Sequence, residues 1–371
     1  MQPITSPELQ GLVAIAREQG LDMKPILLRV LTDLYVAADH HTPDEVVQFQ
    51  DIAGTLAGQV DRDAALIAAC KLANYAGTPV AVGEAFVARG DDAARIILAD
   101  AGWLPRTIVL AQAATGDRIL AAAVAARMDV DPPLARLLLA RRDPLIDTTL
   151  AANTAITLAD DVKQDLLSRA CDEDTVAAAL LSRSDLSGGD RAVLFLRADK
   201  TGRRAIIDEM ETVALTSGRS RQTRAAPPEI ATGLETAAIS GDESAFVSLL
   251  ALGLGSHPSK VRRLVEDRTG EALAIALVAL GISDEVLTRI FMFRDPLIGH
   301  STQKLFGLID LSRRVSWAAA HLITTALLGL TPRDARPASQ PASAAGSSPA
   351  RRTADPAAQP QQPAAAQRKK A

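Results

Sequence analysis

A proline or aspartate that returns about every 26 to 27 residues constrains this chain more than any other feature. Prolines stand at Pro79, Pro105 and Pro132, and aspartates follow them at Asp91, Asp117 and Asp143. Each residue opens an apolar segment of roughly helix length. Proline suits a first helical turn because it lacks the amide that is orphaned there. Aspartate accepts hydrogen bonds from the free amides and favours the positive end of the helix dipole. Segments of ten to twelve residues are too short to stand alone in water, so each must pack on its neighbours. A regular period of this length is the signature of stacked repeats.

Matched positions support the same register. Seven residues after Asp91, Asp117, Asp143 and Glu173 stand Leu98, Val124, Leu150 and Leu180, and thirteen residues after them stand Leu104, Val130, Ile156 and Leu186. First segments run Pro79 to Arg89, Pro105 to Thr115, Pro132 to Arg142 and Asp160 to Cys171. A further unit fits Gly188 to Ala198 and then Asp199 onward. Only 3 % of residues are aromatic, and much of the apolar content is Ala and Leu, the strongest helix formers. The predicted fold is therefore all-α: a right-handed α-solenoid of short helix hairpins, followed by a second helical block and a disordered C-terminal tail.

The domain plan follows. Residues 1–77 hold N-terminal helices: an amphipathic Glu8 to Gln19, a helix opened by Pro25, and a hairpin of Pro43 to Ala57 and Asp63 to Tyr75. Residues 78–217 hold the array. Residues 218–228, with Arg219, Arg221, Arg224 and a double proline, read as a basic linker. Residues 229–330 form the second block, with helices Glu229 to Ile239, Glu243 to Leu252, Pro258 to Glu266, Gly270 to Leu280 and Ser283 to Phe293, then a long helix or pair over Ser301 to Leu328. Arg294-Asp-Pro-Leu-Ile-Gly299 there echoes Arg142-Asp-Pro-Leu-Ile-Asp147 of the array. Residues 331–371, rich in Ala, Pro, Ser and Gln, cannot bury a core.

The formal net charge is -4, and the tail of about +5 conceals a body of about -9. An acidic body lacks the basic stripe of a nucleic-acid groove. Cys70 and Cys171 are far apart and are expected to be small buried residues. The N-terminus lacks the pattern of a signal peptide, and no apolar run reaches the ~18 to 20 residues that span a bilayer. A cytoplasmic protein is expected.

No motif of a known chemistry holds together. Asp39-His-His-Thr-Pro-Asp-Glu45 gathers metal-ligand types, but Thr42, Pro43 and Glu45 make a capping box. Ser301-Thr-Gln-Lys304 and Lys200-Thr-Gly202 match two β-lactamase elements in reversed order, without the strand that the second requires. His257 precedes Pro258 as a helix cap, and Trp103 and Trp317 read as packing anchors. No catalytic, cofactor-binding or metal-ligating residue is expected, and no cofactor. The candidate partner-binding residues are Arg219, Arg221, Arg224, Arg262 and Arg263.

With both blocks laid out, the chain resembles a bacterial family of helical proteins, the domain of unknown function numbered 2336. The resemblance is carried by the hairpins of residues 78–186. In the second block it is carried by Gly241-Asp242, Phe246, Leu249-Leu250, Val261-Arg-Arg-Leu264 and Ala276-Leu-Val-Ala-Leu-Gly-Ile282. It covers most of residues 40–300 and implies a HEAT-like helical repeat fold, with no activity or site residue to carry over. The expected function is a non-enzymatic scaffold or adaptor that binds a protein or peptide. The competing expectations are a HEAT-like-repeat enzyme, of the DNA glycosylase or pigment-lyase type, and a signalling component that uses its basic linker or tail.

Overall fold

The computed structural model describes residues 22–218, 224–294 and 301–330, and in them the chain forms twenty helices and no strand. The first three helices are α1 (Lys24–Ala37), α2 (Pro43–Ala57) and α3 (Arg62–Ala73). The array continues with α4 (Val80–Val87), α5 (Asp92–Asp100), α6 (Arg106–Thr115), α7 (Arg118–Ala125), α8 (Pro132–Leu139), α9 (Pro144–Ala152), α10 (Asp160–Ala170) and α11 (Asp174–Leu181). Then come α12 (Gly188–Val193), α13 (Lys200–Thr216), α14 (Pro228–Ser240), α15 (Glu243–Leu254) and α16 (Pro258–Val265). The last four are α17 (Glu271–Leu280), α18 (Asp284–Arg294), α19 (Thr302–Arg314) and α20 (Trp317–Leu328). The stretch 301–328 is thus a helix pair, broken at Val315 and Ser316. The amphipathic stretch Glu8 to Gln19 and the tail of residues 331–371 lie outside the described residues.

The helices start where hydrogen-bond chemistry requires. Asp91, Asp117 and Asp143 are each the N-cap of the following helix, and each side chain accepts from the amides two or three residues on. Thr42 and Glu45 close a reciprocal capping box at α2. The prolines divide: Pro79 and Pro105 are themselves N-caps, whereas Pro132 is the first residue of α8 behind the capping carboxylate of Asp131.

Helices pack in hairpins on a chain neighbour and in rows on the helix two further along, the contact order that stacked hairpins require. The odd helices α1, α3, α5, α7, α9 and α11 form one continuous row, while α2 packs on α4, and α6 on α8 on α10. The odd row is enclosed on more sides, which explains its alanine. In α7 every residue from Leu120 to Ala125 is buried. Small side chains let these helices approach closely, and Leu98, Val124, Leu150 and Leu180 fill the seam with no exposed surface. Burying each such leucine contributes about 1.5–3 kcal/mol.

The apolar core has two parts. The first runs from Leu28 to Leu194 and the second from Ala192 to Leu328, with Leu181 packed against both. The handover falls at α12. Helices α12 and α13 pack on α20, so this hairpin buries Phe195, Ile206, Ile207 and Met210 with the C-terminal helices. The two cysteines depart from expectation. Cys70 is exposed and Cys171 half-buried. Helix α3 buries Ala65, Ala68, Ala69 and Leu72, and that register turns Cys70 to the opposite side.

Candidate interaction surface

The polar residues of the array divide into those that hold the stack and those left over. The last carbonyls of any helix lack intrahelical donors. Here a side chain from the next layer supplies them. Along the odd row, Trp103 Nε1 donates to the Leu72 and Ala73 carbonyls, both at 3.1 Å. Arg127 reaches Leu98 O at 2.7 Å and Ala101 O at 3.1 Å. Asn153 reaches Ala125 O at 2.9 Å and Arg127 O at 2.7 Å. Arg183 reaches Ala151, Asn153 and Ile156 carbonyls at 3.1, 2.6 and 2.8 Å. Four consecutive layers are stitched this way, each to the one before.

The even row repeats the device. Arg89 donates to the Ala57 and Val60 carbonyls, Arg141 to Ala113 O at 3.1 Å, and Arg197 to Cys171 O at 2.7 Å. An aspartate two residues on steadies three of these arginines: Arg89 with Asp91, Arg127 with Asp129, and Arg183 with Asp185. The Arg127 and Arg183 guanidiniums hold the Asp129 and Asp185 carboxyls below the usual carboxylate range. At Asp91 burial pushes the other way, but Arg89 and the capped amides outweigh it. This spacing of arginine and aspartate is readable in the chain at 89, 127, 141, 183 and 197, where the aspartates that cap helices mask it. At the opposite helix ends, ion pairs tie successive layers: Arg62 to Asp92, Arg106 to Asp131, Arg118 to Asp143 and Arg136 to Asp161.

Two buried charged groups belong to the same framework. Arg203 donates to both oxygens of Asp267 at 2.9 and 3.2 Å and to Thr269 Oγ1 at 2.5 Å, above the ring of Phe195. Burial raises the Asp267 pKa, yet Arg203 and Thr269 bring it below the usual value. Asp147, on α9, is bound through both oxygens by Arg169 at 3.0 and 2.9 Å. There burial wins, and the carboxyl is pushed up against the pull of Arg169.

The candidate residues fall in three places. Arg219 and Arg221 lie outside the described residues. Arg224 is exposed, in a segment pinned by a hydrogen bond from the Ala226 amide to Gly281 O at 3.0 Å. Arg262 and Arg263 are exposed on α16. Arg263 joins Arg197 on the Cys171 carbonyl, at 2.6 Å, and faces Asp172 at 3.6 Å, so it ties the second block to the end of α10. Arg262 makes no side-chain hydrogen bond or ion pair among the described residues. The structure does not bring the candidates together into one site. The Asp39 to Glu45 stretch is a local aromatic stack instead: His41 and Phe49 lie on the two sides of Tyr35, with ring centroids 3.8 Å away. Trp317 is a packing anchor that donates to Ala279 O at 2.9 Å, and His257 caps α16. No group of three His, Cys, Asp or Glu able to hold a metal occurs among the described residues.

One exposed residue stands in an unusual conformation. Arg142 has φ 53°, the only left-handed non-glycine among the described residues. Gly90 occupies the same turn two hairpins earlier, with φ 69°. The hydrogen bonds match: Gly90 N to Val87 O, and Arg142 N to Leu139 O, both closing the end of an even helix.

Short capped helices stacked in rows and stitched end to end define a helical-repeat protein with two fused cores. The chain belongs to the family described as an uncharacterised protein conserved in bacteria (DUF2336), whose model matches residues 94–322. No curated protein and no solved structure matches it. The match spans both cores, from α5 to α20.

Proposed function

We propose that the protein is a non-enzymatic scaffold or adaptor of the bacterial cytoplasm that binds a protein or peptide partner along its stacked helices. One observation carries this reading: the buried arginines of the array are spent on the stack itself, and the side chains left free are spread along an extended helical surface. Stacked repeats present such surfaces to partners that run across several layers. The bonds of the two arginine rows fix the spacing of those layers, so the surface is held ready for its partner and loses little entropy on binding.

The test is affinity purification of the full-length protein, linker and tail intact, from a native lysate. The reading predicts a discrete partner that stays bound through washing at physiological salt. Recovery of no partner, together with turnover of a small molecule by the purified chain, would replace it with the enzyme reading.

A further inference from the structure

Helix α1 carries apolar side chains on two sides. It packs on α2 and α3 and buries Leu28, Thr32 and Tyr35. Ile26, Val30 and Leu34 are spaced four apart and line nearly the opposite side of the helix. Ile26 and Leu34 are 52 % and 54 % exposed, and Val30 is half-buried. A helix that is apolar all round belongs in a core, and the outermost layer of a stack turns a polar face outward. Among the described residues, the outer face of α1 does the reverse.

The chain itself supplies a cover. Twenty-one residues precede Asp22, whose carboxylate accepts from the Lys24 amide at 3.0 Å at the start of α1. They include the amphipathic stretch Glu8 to Gln19, with Leu9, Leu12, Val13 and Ala16 on one face and Gly20 as a stop. Hairpins of the array pair an even helix with the odd one after it: α4 with α5, α6 with α7, α8 with α9 and α10 with α11. Helix α1 belongs to the odd row, so its even partner by that rule is the segment just before it. Four residues, Gly20 to Met23, join the two, a length that returns a helix antiparallel on its neighbour. Such a turn sets Leu9 against Leu34 and Val13 against Val30, with Ala16 beside Ile26.

We infer that the outer face of α1 docks the chain's own segment Glu8 to Gln19 as a further helix of the stack. Twelve residues of helix are about 18 Å long, against about 21 Å for the fourteen of α1, so the stripe is covered along its length. A second copy offers the same apolar chemistry, but it loses the translational freedom that a four-residue tether has already removed. The inference concerns the end of the stack and stands apart from what the array binds.

The experiment uses the full chain with Cys70→Ser and Cys171→Ser, so that only introduced thiols react. Val13→Cys with Val30→Cys is compared with Ala14→Cys with Val30→Cys under mild oxidation, and closure is read by gel mobility. The tether brings both pairs equally near, but only the first meets the facing geometry of a disulfide in the docked helix. The Val13 pair is expected to close roughly tenfold faster, within one chain. Equal rates, or no closure in either, would overturn the docking. Cross-linked dimers would overturn it too and assign the face to a second copy. Leu9→Ser and Leu34→Ser, without added cysteines, give a second reading by thermal melting. Each is expected to lower the melting temperature, and the double variant by less than the two losses together. An unchanged melting temperature in Leu9→Ser, or strictly additive losses, would reject the pairing.

Discussion

Replacing Arg183 by alanine tests the stitching of the layers where it is densest. The side chain is 1 % exposed. It donates three hydrogen bonds to carbonyls at the end of α9 and two to Asp185, at 2.8 and 2.7 Å. Truncation strips three carbonyls of a buried donor and leaves the Asp185 carboxylate without its partner. An orphaned buried acceptor costs about 1–3 kcal/mol, and water entering the vacated volume recovers part of the sum. Removing one side of a buried charged contact costs about 3–5 kcal/mol, and that is the loss expected for Arg183→Ala. Arg183→Lys keeps the charge, but its ammonium cannot span three carbonyls, so it should recover less than half. Arg118→Ala is the control. Its side chain is 61 % exposed and 3.5 Å from Asp143, so about 0–1 kcal/mol is expected. Urea unfolding of the full chain gives the free energies. Trp103 reports the first core and Trp317 the second, while circular dichroism follows the whole. A loss for Arg183→Ala within about 1 kcal/mol of the Arg118→Ala control would refute the stitching. Full restoration by Arg183→Lys would show that charge alone matters, and not the fork that caps α9.

Arg142→Gly should stabilise the chain by about 0.5–1 kcal/mol, because release of roughly 1–2 kcal/mol of left-handed strain exceeds the added flexibility of the unfolded state; the same urea titration measures it, and a net loss would contradict the strain. Trp103→Phe should cost about 1 kcal/mol through loss of the bonds to Leu72 and Ala73, with Gly83 allowing α4 to press on the ring so closely that a β-carbon there would lie 2.6 Å from it; Gly83→Ala, read by thermal melting, should be at least as damaging. Asp185 has a lowered pKa in the folded state, so its stabilisation is present above the unfolded value of about 3.9 and disappears as pH falls through the folded one. Asp147 has a raised pKa, so its contribution is full at low pH and lost as pH rises through the folded value. Relative to the parent, Asp185→Asn should therefore gain stability as pH falls from neutrality and Asp147→Asn should lose it; parallel trends would contradict these signs. Duplex DNA should not be retained at physiological salt in a gel-shift assay, and tight retention would favour the glycosylase reading.

How far the sequence discloses this fold depends on the range of the interaction concerned. Asp91, Asp117 and Asp143 act on amides two or three residues away, so their role is legible from spacing alone. Leu98, Val124, Leu150 and Leu180 follow from helical periodicity, and all are fully buried. The Thr42 capping box and the boundaries Pro43–Ala57 are likewise local. The arginine rows act 26 to 32 residues away along the chain, on backbone carbonyls that carry no side-chain identity. Charge counting assigns such arginines to solvated faces, and only the recurring arginine-aspartate spacing hints otherwise. Trp103 and Asn153 take alternate layers of the odd row, which hides its period further. The handover of cores at α12 depends on α20 returning to cover α12 and α13, a contact that spans more than a hundred residues. Arg263 is readable as a surface charge, but its bond to Cys171 spans 92 residues of chain. Arg142 looks like an ordinary helix end until its φ is known and Gly90 is laid beside it.

The most direct test of the partner-binding account is site-specific photo-crosslinking in a native lysate. A benzophenone amino acid is placed in turn at four exposed positions of the array in the full chain, Glu84, Ile119, Leu145 and Thr175. The account predicts a discrete protein adduct from at least one of them, because a partner that runs across stacked layers passes close to several. Adducts from none of the four, while the chain turns over a small-molecule substrate, would contradict it.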